Sequence, residues 1–118
     1  MQDKKISGNL GEDLAARYLR KNGFKILKRN FQNKIGEIDI LARNKSDIVI
    51  VEVKTKSGSD FGEGYEMVNY FKRKKLLQLA KSLQINYPKA TIRIDVVSVG
   101  LNQDPPEIKH FKSAVEDD

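Results

Sequence analysis

The stretch Ile48-Val49-Ile50-Val51-Glu52-Val53-Lys54 decides the fold of this sequence. Residues 48–53 are rich in β-branched side chains and are interrupted only by Glu52, which predicts a strand in the centre of a sheet with both faces covered. Residues 36–42 predict a second strand, and the polar turn 44–47 joins the two strands as a hairpin. We therefore expect the sheet to be built outward from this hairpin.

Two helices and three further strands are predicted around the hairpin. Apolar side chains recur at helical spacing over residues 8–22, and Gly23 lies where a helix-terminating glycine is expected. A second helix is expected over residues 66–87, with Phe71 among its apolar repeat, and Pro88 closes it. The other predicted elements are an edge strand at 24–31, a mobile glycine-rich loop at 55–65, a strand at 91–99 and a short strand at 108–111.

This order of elements predicts the α/β class, with one mixed central sheet flanked by helices. The strands before and after the second helix are expected to run parallel, because a connection of that length crosses over the sheet. The 118 residues are expected to form a single domain, 1–118, with an acidic tail of about residues 113–118 that frays.

Composition excludes several classes of protein. With 39% hydrophobic and 32% charged residues, the sequence is typical of a soluble globular protein rather than a disordered or fibrous one. It contains no cysteine, which excludes disulfides, thiolate metal sites and cysteine nucleophiles. Its longest apolar run is far shorter than the roughly 20 residues of a membrane span, and residues 1–5 lead into no apolar block. We therefore expect no membrane segment, no secretory signal and a cytoplasmic location.

The excess of basic residues predicts a polyanionic partner. The net charge is +6, and a basic surface attracts nucleic acid through counterion release. The densest basic run is Lys72-Arg73-Lys74-Lys75, in the second predicted helix. The solvated face of a helix explains the same run, and the sequence leaves both interpretations open.

Two carboxylates and a lysine are expected to meet on the hairpin. Strand residues at i and i+2 share a face, which pairs Glu52 with Lys54 on one strand and Glu37 with Asp39 on the other. Two neighbouring carboxylates repel unless a cation lies between them, and hard oxygen ligands favour Mg²⁺ or Mn²⁺. Asp39, Glu52 and Lys54 thus have the parts needed for metal-assisted phosphodiester hydrolysis. A solvated pair or a cross-strand salt bridge explains the same residues without any chemistry.

Several other residues have two interpretations each. Glu12 in the first helix is either an inward-pointing ligand or a first-turn acid favoured by the helix dipole. Asp95 is expected to pair with a basic residue, either to orient the site or as a structural ion pair. His110, the single histidine, is expected in ordinary packing or at the surface. Phe61 and Tyr65 in the glycine-rich loop either stack on bases or anchor the loop to the core.

A set of ordered motifs resembles one protein family. In this order the motifs resemble the YraN family of small, endonuclease-like bacterial proteins, over nearly the whole chain. That family is similar to the PD-(D/E)xK nucleases, and especially to the archaeal Holliday-junction resolvases. The motifs are Gly8-Asn9-Leu10-Gly11-Glu12, Gly36-Glu37-Ile38-Asp39-Ile40, Val51-Glu52-Val53-Lys54-Thr55-Lys56 and Ile94-Asp95-Val96-Val97.

The resemblance implies a restriction-endonuclease-like α/β/α core and a metal-dependent nuclease acting on DNA, with Mg²⁺ or Mn²⁺ as cofactor. Asp39 and Glu52 would be metal ligands, Lys54 the catalytic lysine, and Glu12 an additional catalytic acid and ligand. Lys72 falls where the second helix contributes a basic residue near the site. A symmetric dimer, as resolvases use, would give two sites for two strands of branched or recombining DNA. The residues expected to bind the nucleic acid are Lys56, Lys72, Arg73, Lys74 and Lys75.

Two other functions remain open from the sequence. A nucleic-acid-binding module without cleavage activity would use the same basic residues to hold the phosphate backbone. A protein-interaction module would keep the carboxylates only as a network within the folded chain. The nuclease, the nucleic-acid-binding module and the protein-interaction module would share one fold and differ only in what the site does. Fold and motif by themselves therefore do not decide among them.

Overall fold

The computed structural model describes residues 2–56 and 68–116, with side chains from Asn9 onward. Its helices and strands are α1 (Gln2–Lys21), β1 (Lys25–Gln32), β2 (Glu37–Asn44), β3 (Asp47–Lys56), α2 (Tyr70–Asn86), β4 (Thr91–Gly100) and β5 (Glu107–Phe111). The strands form one sheet in the order β1-β2-β3-β4-β5. β3 and β4 run parallel and the other neighbouring strands are antiparallel, which confirms the predicted mixed sheet and its parallel pair.

Two apolar layers, one on each side of the sheet, hold the helices in place. On one side Leu76 and Leu79 of α2 pack with Ile50 of β3, and all three are almost fully buried. On the other side Leu19 of α1 packs with Val51 of β3. Successive residues of β3 therefore face opposite helices, as expected for a central strand. The predicted α/β class and the sheet flanked by helices are confirmed, and they agree with the restriction-endonuclease-like core that the resemblance implied.

α1 begins earlier than predicted, at Gln2, and ends as predicted. Gly23 has a φ of +87°, a left-handed conformation that glycine adopts without steric cost. The Gly23 N–H donates to the Arg20 carbonyl at 3.2 Å, and the Phe24 N–H donates to the Leu19 carbonyl at 2.9 Å. These two bonds form a Schellman motif, which satisfies carbonyl groups at the end of the helix.

α2 begins later than predicted, at Tyr70 instead of residue 66. Asn69 is extended, and its side chain accepts a hydrogen bond from the Lys72 N–H at 2.9 Å. An asparagine in this position satisfies an N–H that the first helical turn leaves without a partner. The helix ends at Asn86, shortly before Pro88, as predicted. In the described part of the chain, no helix combines the length and the apolar character needed to cross a lipid bilayer.

The segment 113–116 packs against the sheet, contrary to the fraying expected of an acidic tail. The Ala114 N–H donates to the Ile94 carbonyl at 2.8 Å. Val115 is buried in the apolar layer beside α2. The burial of this valine and the hydrogen bond to β4 hold residues 113–116 in place, and Glu116 is the one acid among them.

β3 extends further than predicted, through Thr55 to Lys56. Both residues continue the parallel ladder with β4, as far as the pairing of Lys56 with Gly100. They therefore belong to the strand rather than to the glycine-rich loop. The greater part of that predicted loop, with Phe61 and Tyr65, lies outside the described residues.

Gly11 of α1 lies directly against Thr55 of β3. A Cβ added to Gly11 would overlap the Thr55 Oγ1 and lie 3.0 Å from the Thr55 Cβ. We expect Gly11→Ala to destabilise the protein by about 1–3 kcal/mol, as overpacking does, although alanine favours a helix by up to about 1 kcal/mol over glycine. Thr55→Ala removes the overlapping atom and should restore part of the loss in the double variant. Thermal unfolding of the three variants measures both effects, and a melting temperature of Gly11→Ala equal to that of the wild type would contradict the close contact.

Candidate active site

The two strands of the hairpin separate at Asp39 and Glu52. Their backbone pairing ends at Ile40 and Val51. Beyond that point the Val53 N–H donates to the Asp39 Oδ2 at 2.9 Å, so a side-chain carboxylate takes the place of a backbone acceptor. This hydrogen bond draws the Asp39 side chain toward β3, next to Glu52.

The alternation of faces along β2 breaks at the same point. Strict alternation predicts that Ile38 and Ile40 share a face, but Ile38 packs in the layer beside α2 and Ile40 in the layer beside α1. The register places Asn30 of β1 opposite Asp39, and Asn30 has a left-handed φ of 53°. Asparagine adopts this conformation more readily than most side chains. An irregular stretch of backbone therefore accompanies the turn of Asp39 toward β3.

Glu52 is the centre of the candidate site. Its side chain is only 4% exposed, and in its protonated form it can donate a hydrogen bond to the adjacent Asp39 carboxylate. The Lys54 Nζ lies 3.7 Å from the Glu52 Oε2, and the Lys72 Nζ lies 3.3 Å from the same oxygen. The structure thus brings together Asp39, Glu52 and Lys54. Lys72 of α2, which the family resemblance places near the site, lies beside them.

The surroundings of Glu52 favour its protonated form. Burial, the negative charge of Asp39 and the hydrogen bond between the two side chains raise the pKa of Glu52 from 4.5 to about 7, against the opposing charges of Lys72 and Lys54. Near neutral pH the Glu52 carboxyl is therefore protonated in a large fraction of molecules. The repulsion between two adjacent carboxylates is the cost that a divalent cation relieves.

Glu12 of α1 lies near this pair but has a different direct partner. Burial and the negative charge of Asp39 raise the pKa of Glu12, and the positive charge of Arg29 opposes them. The Arg29 guanidinium lies 3.7 Å from the Glu12 carboxylate and 2.8 Å from that of Asp13. The sequence assigns no role to Arg29, because a basic residue on an edge strand gives no sign of its partner on a helix. Among the side chains that the structure describes, no three acidic or histidine residues form a ready-made metal cage.

The basic residues predicted to bind nucleic acid have different surroundings, so they do not form one uniform surface. Lys74 and Lys75 are exposed on α2, and Lys56 is half-buried at the end of β3. Three side chains of the basic run contact other groups: Lys72 contacts Glu52, Arg73 donates to the Glu116 carbonyl at 3.2 Å, and Lys74 lies over the Tyr70 ring at 4.9 Å from its centroid.

A second cluster of ionisable residues surrounds Asp95 on the α1 side of the sheet. Asp95 is fully buried, and Arg93 donates to both of its carboxylate oxygens, at 2.9 and 3.1 Å. The His110 Nε2 lies 2.7 Å from the Asp95 Oδ2, and its Nδ1 lies 3.1 Å from the Tyr18 hydroxyl. Burial acts to raise the pKa of Asp95, but the hydrogen bonds from His110, Arg93 and a backbone N–H outweigh it and lower that pKa. The sheet separates this cluster from Glu52. Asp95 therefore forms a structural ion pair with Arg93, and His110 belongs to the same hydrogen-bonded cluster.

A model of the uncharacterised protein family UPF0102 matches residues 11–99, which include the whole carboxylate cluster. The chain belongs to the UPF0102 family. It is 43% identical to a UPF0102 protein of Caldanaerobacter subterraneus subsp. tengcongensis, over 85% of this chain and 84% of that relative. It is 40% identical to a UPF0102 protein of Clostridium beijerinckii, over 94% of this chain and 96% of that relative. Membership of UPF0102 confirms the family resemblance inferred from the sequence motifs.

Two solved structures are similar to part of this UPF0102 chain. The match with the EndoMS-dsDNA2 complex covers 71% of this chain and 34% of the chain in that complex, at 21% identity and a TM-score of 0.47. The match with Pyrococcus furiosus SfsA in complex with Ca²⁺ covers 92% of this chain and 63% of the SfsA chain, at 16% identity and a TM-score of 0.44.

Proposed function

We propose that this protein is a metal-dependent nuclease that hydrolyses the phosphodiester bonds of DNA. The observation that carries the proposal is the contact between the Asp39 and Glu52 carboxyls, with the Lys54 and Lys72 ammonium groups beside the same Glu52 oxygen. Paired carboxylates can hold a divalent cation, and adjacent ammonium groups can bind or stabilise a phosphate. The cluster therefore combines the two requirements of metal-assisted phosphodiester hydrolysis.

Asp39 and Glu52 would hold Mg²⁺ or Mn²⁺, with Glu12 as a further acid close by. Carboxylate oxygens are the ligands that these ions prefer, and Mg²⁺ is commonly bound through one or two carboxylates while it keeps several waters. The donor set therefore fits such an ion without a complete protein cage. When bound, the ion would polarise a phosphate and lower the pKa of a water molecule.

The two lysines would have separate roles toward the phosphate. Lys54, on the same strand as Glu52, would orient the attacking water and stabilise the negative charge that develops on the phosphate oxygens. Lys72 would bind the phosphate from the side of α2. The other basic residues would hold the DNA backbone without reading its sequence; these are Lys56, Arg73, Lys74 and Lys75.

Branched or recombining DNA is the substrate that the family resemblance favours. A symmetric dimer of the chain would then present two sites to two strands. For this reason the test of cleavage includes a branched DNA.

The proposal is tested by comparing the wild type with Lys54→Ala on linear, nicked, single-stranded and four-way-junction DNA. We expect the wild type to cut in Mg²⁺ or Mn²⁺ and not in EDTA. Lys54→Ala should cut about 100-fold more slowly or worse, the usual cost of losing one group that stabilises charge in the transition state. Lys81→Ala is the matched control, because Lys81 is an exposed lysine further along α2, and it should cut like the wild type. Wild-type protein that binds these DNAs but never cuts them with either metal would overturn the proposal.

Binding of nucleic acid without cleavage is the second candidate function. One observation favours it: two lysine ammonium groups already contact Glu52, and the described side chains supply no third ligand in contact with the carboxyl pair. On this view the wild type and Lys54→Ala bind DNA with similar, salt-dependent affinity and neither cuts it. The same comparison therefore separates the two functions.

A further inference from the structure

An exposed aromatic pair marks the start of α2. Tyr70 is 61% exposed and Phe71 is 77% exposed. Their ring centroids are 5.6 Å apart and their planes meet at 77°. Such an edge-to-face contact uses the edge or one face of each ring, so at least one face of Phe71 has no partner in the pair. Two adjacent exposed rings form an apolar patch rather than a single surface residue.

The apolar repeat of α2 predicts that Phe71 is buried, but the structure exposes it to solvent. The buried face of α2 is set by Leu76, Leu79 and Leu83. At about 100° per residue, Phe71 is displaced from these three leucines by about 80–140° around the helix. Its ring, which is 77% exposed, therefore lies outside the buried face of α2.

The helix that carries the aromatic pair is strongly basic. The Lys74 Nζ lies 4.9 Å from the Tyr70 ring centroid, so a cation and a ring are already in contact. No acidic residue occurs in Tyr70–Asn86. This charge complements a polyanion, and it disfavours a basic or purely apolar partner. The basic residues near the aromatic pair are Lys72, Arg73, Lys74 and Lys75, whereas Lys81 lies further along the helix.

The aromatic pair directly precedes, in sequence, a lysine that contacts the carboxylate cluster. Lys72 follows Phe71 directly, and its ammonium group lies 3.3 Å from Glu52. A nucleic acid with a phosphate at Lys72 would therefore have its neighbouring bases near Phe71. The two features together fit a nucleotide strand: its phosphate meets the lysine and a base meets the ring.

We propose that Phe71 and Tyr70 form a stacking platform for an unpaired nucleobase beside the scissile phosphate. The inference rests on the proposed function and narrows its substrate to DNA with a single-stranded, gapped or junction region. In a continuous duplex each base is covered on both faces by its neighbours, whereas an unpaired base offers a free face to an aromatic side chain. The platform therefore selects by the state of pairing rather than by sequence.

The test uses a DNA oligonucleotide with 2-aminopurine at one unpaired position, and a matched duplex in which the same base is paired, both in EDTA to prevent cutting. We expect the wild type to change the fluorescence of the unpaired base and to bind that DNA more tightly. Phe71→Ala should lose about 5- to 100-fold in affinity for the unpaired form, the usual effect of removing one stacking ring. Phe71→Tyr keeps the ring and should behave like the wild type. Ile85→Ala removes a side chain that is 80% exposed at the far end of α2 and should change neither measurement.

Two results would overturn the platform. One is an equal loss of affinity of Phe71→Ala for paired and unpaired DNA, with an unchanged fold by circular dichroism. The other is dimerisation of the wild type that Phe71→Ala abolishes, which would assign the patch to a second copy of the chain. Stacking without metal-dependent cutting would overturn the nuclease proposal alone, and cutting without stacking would overturn the platform alone.

Discussion

Asp95→Ala is expected to lower the free energy of unfolding by about 3–5 kcal/mol, the cost of removing one partner from a buried ion pair. Asp95 is fully buried, and it accepts two hydrogen bonds from Arg93. The Arg93 side chain is only 15% exposed and would keep one acidic contact, Asp47 at 3.0 Å. A poorly solvated cation would thus lose its main partner. Thermal unfolding should show a fall in melting temperature on the order of 10 °C or more.

Asp47→Ala is the matched control, because Asp47 contacts the same guanidinium from a more exposed position, with 29% of its side chain accessible. Its loss should cost about 1 kcal/mol or less, as partly exposed ion pairs do. Similar destabilisation by Asp95→Ala and Asp47→Ala would contradict the central role of Asp95 in the cluster.

The contribution of Asp95 should also depend on pH. Folding lowers the pKa of this carboxyl below its ordinary value of 3.8. The ionised form therefore stabilises the folded state at any pH above that value, and the stabilisation is lost as the pH falls through the lowered pKa. Urea unfolding of the wild type and Asp95→Asn at pH 7 and below pH 4 should show a smaller difference in the acidic range.

Glu52→Gln is expected to abolish cleavage and, above neutral pH, to stabilise the protein. The pKa of Glu52 is raised from 4.5 to about 7, so the folded state binds more protons than the unfolded state between these values. The stability of the wild type therefore falls as the pH rises from 4.5 to 7 and then levels off. Glutamine keeps a hydrogen-bonding side chain beside Asp39 but has no proton to lose. We expect the variant to be more stable than the wild type by about 1–3 kcal/mol at pH 8, and by much less at pH 4.5.

Melting temperatures across this pH range measure the effect, and Glu107→Gln, at an exposed acid on β5, is the matched control. Mg²⁺ should raise the melting temperature of the wild type at pH 8, because an ion that binds only the folded state stabilises it. It should do so far less for Glu52→Gln. A variant that is less stable than the wild type at every pH would contradict the picture of two carboxyls in repulsive contact.

Much of the fold follows from local patterns. The apolar run of β3 and the polar turn before it specify a buried strand and a hairpin, because side-chain alternation and turn chemistry act over a few residues. Gly23 ends α1 for an equally local reason, its left-handed φ. The start of α2 was less predictable, since the apolar repeat continues before the point at which Asn69 caps the helix.

The candidate site could be predicted only in part. Glu52 and Lys54 share a face by strand periodicity alone, so their proximity is visible in the sequence. The contact of Lys72 with Glu52 depends on how α2 packs against the sheet. Arg29 meets Glu12 only because α1 packs against the part of the sheet that contains β1.

The sequence by itself determined the central strand, the hairpin, the charge of α2 and the residue types available to the site, because these depend on neighbours along the chain. Only the tertiary structure decided that the Asp39 side chain turns toward β3 and that Asp95 contacts His110 rather than the carboxylate cluster. It also decided that Phe71 faces solvent. Each of these depends on contacts between residues distant in sequence, and the free energy of burial and hydrogen bonding is set by those contacts rather than by local preference.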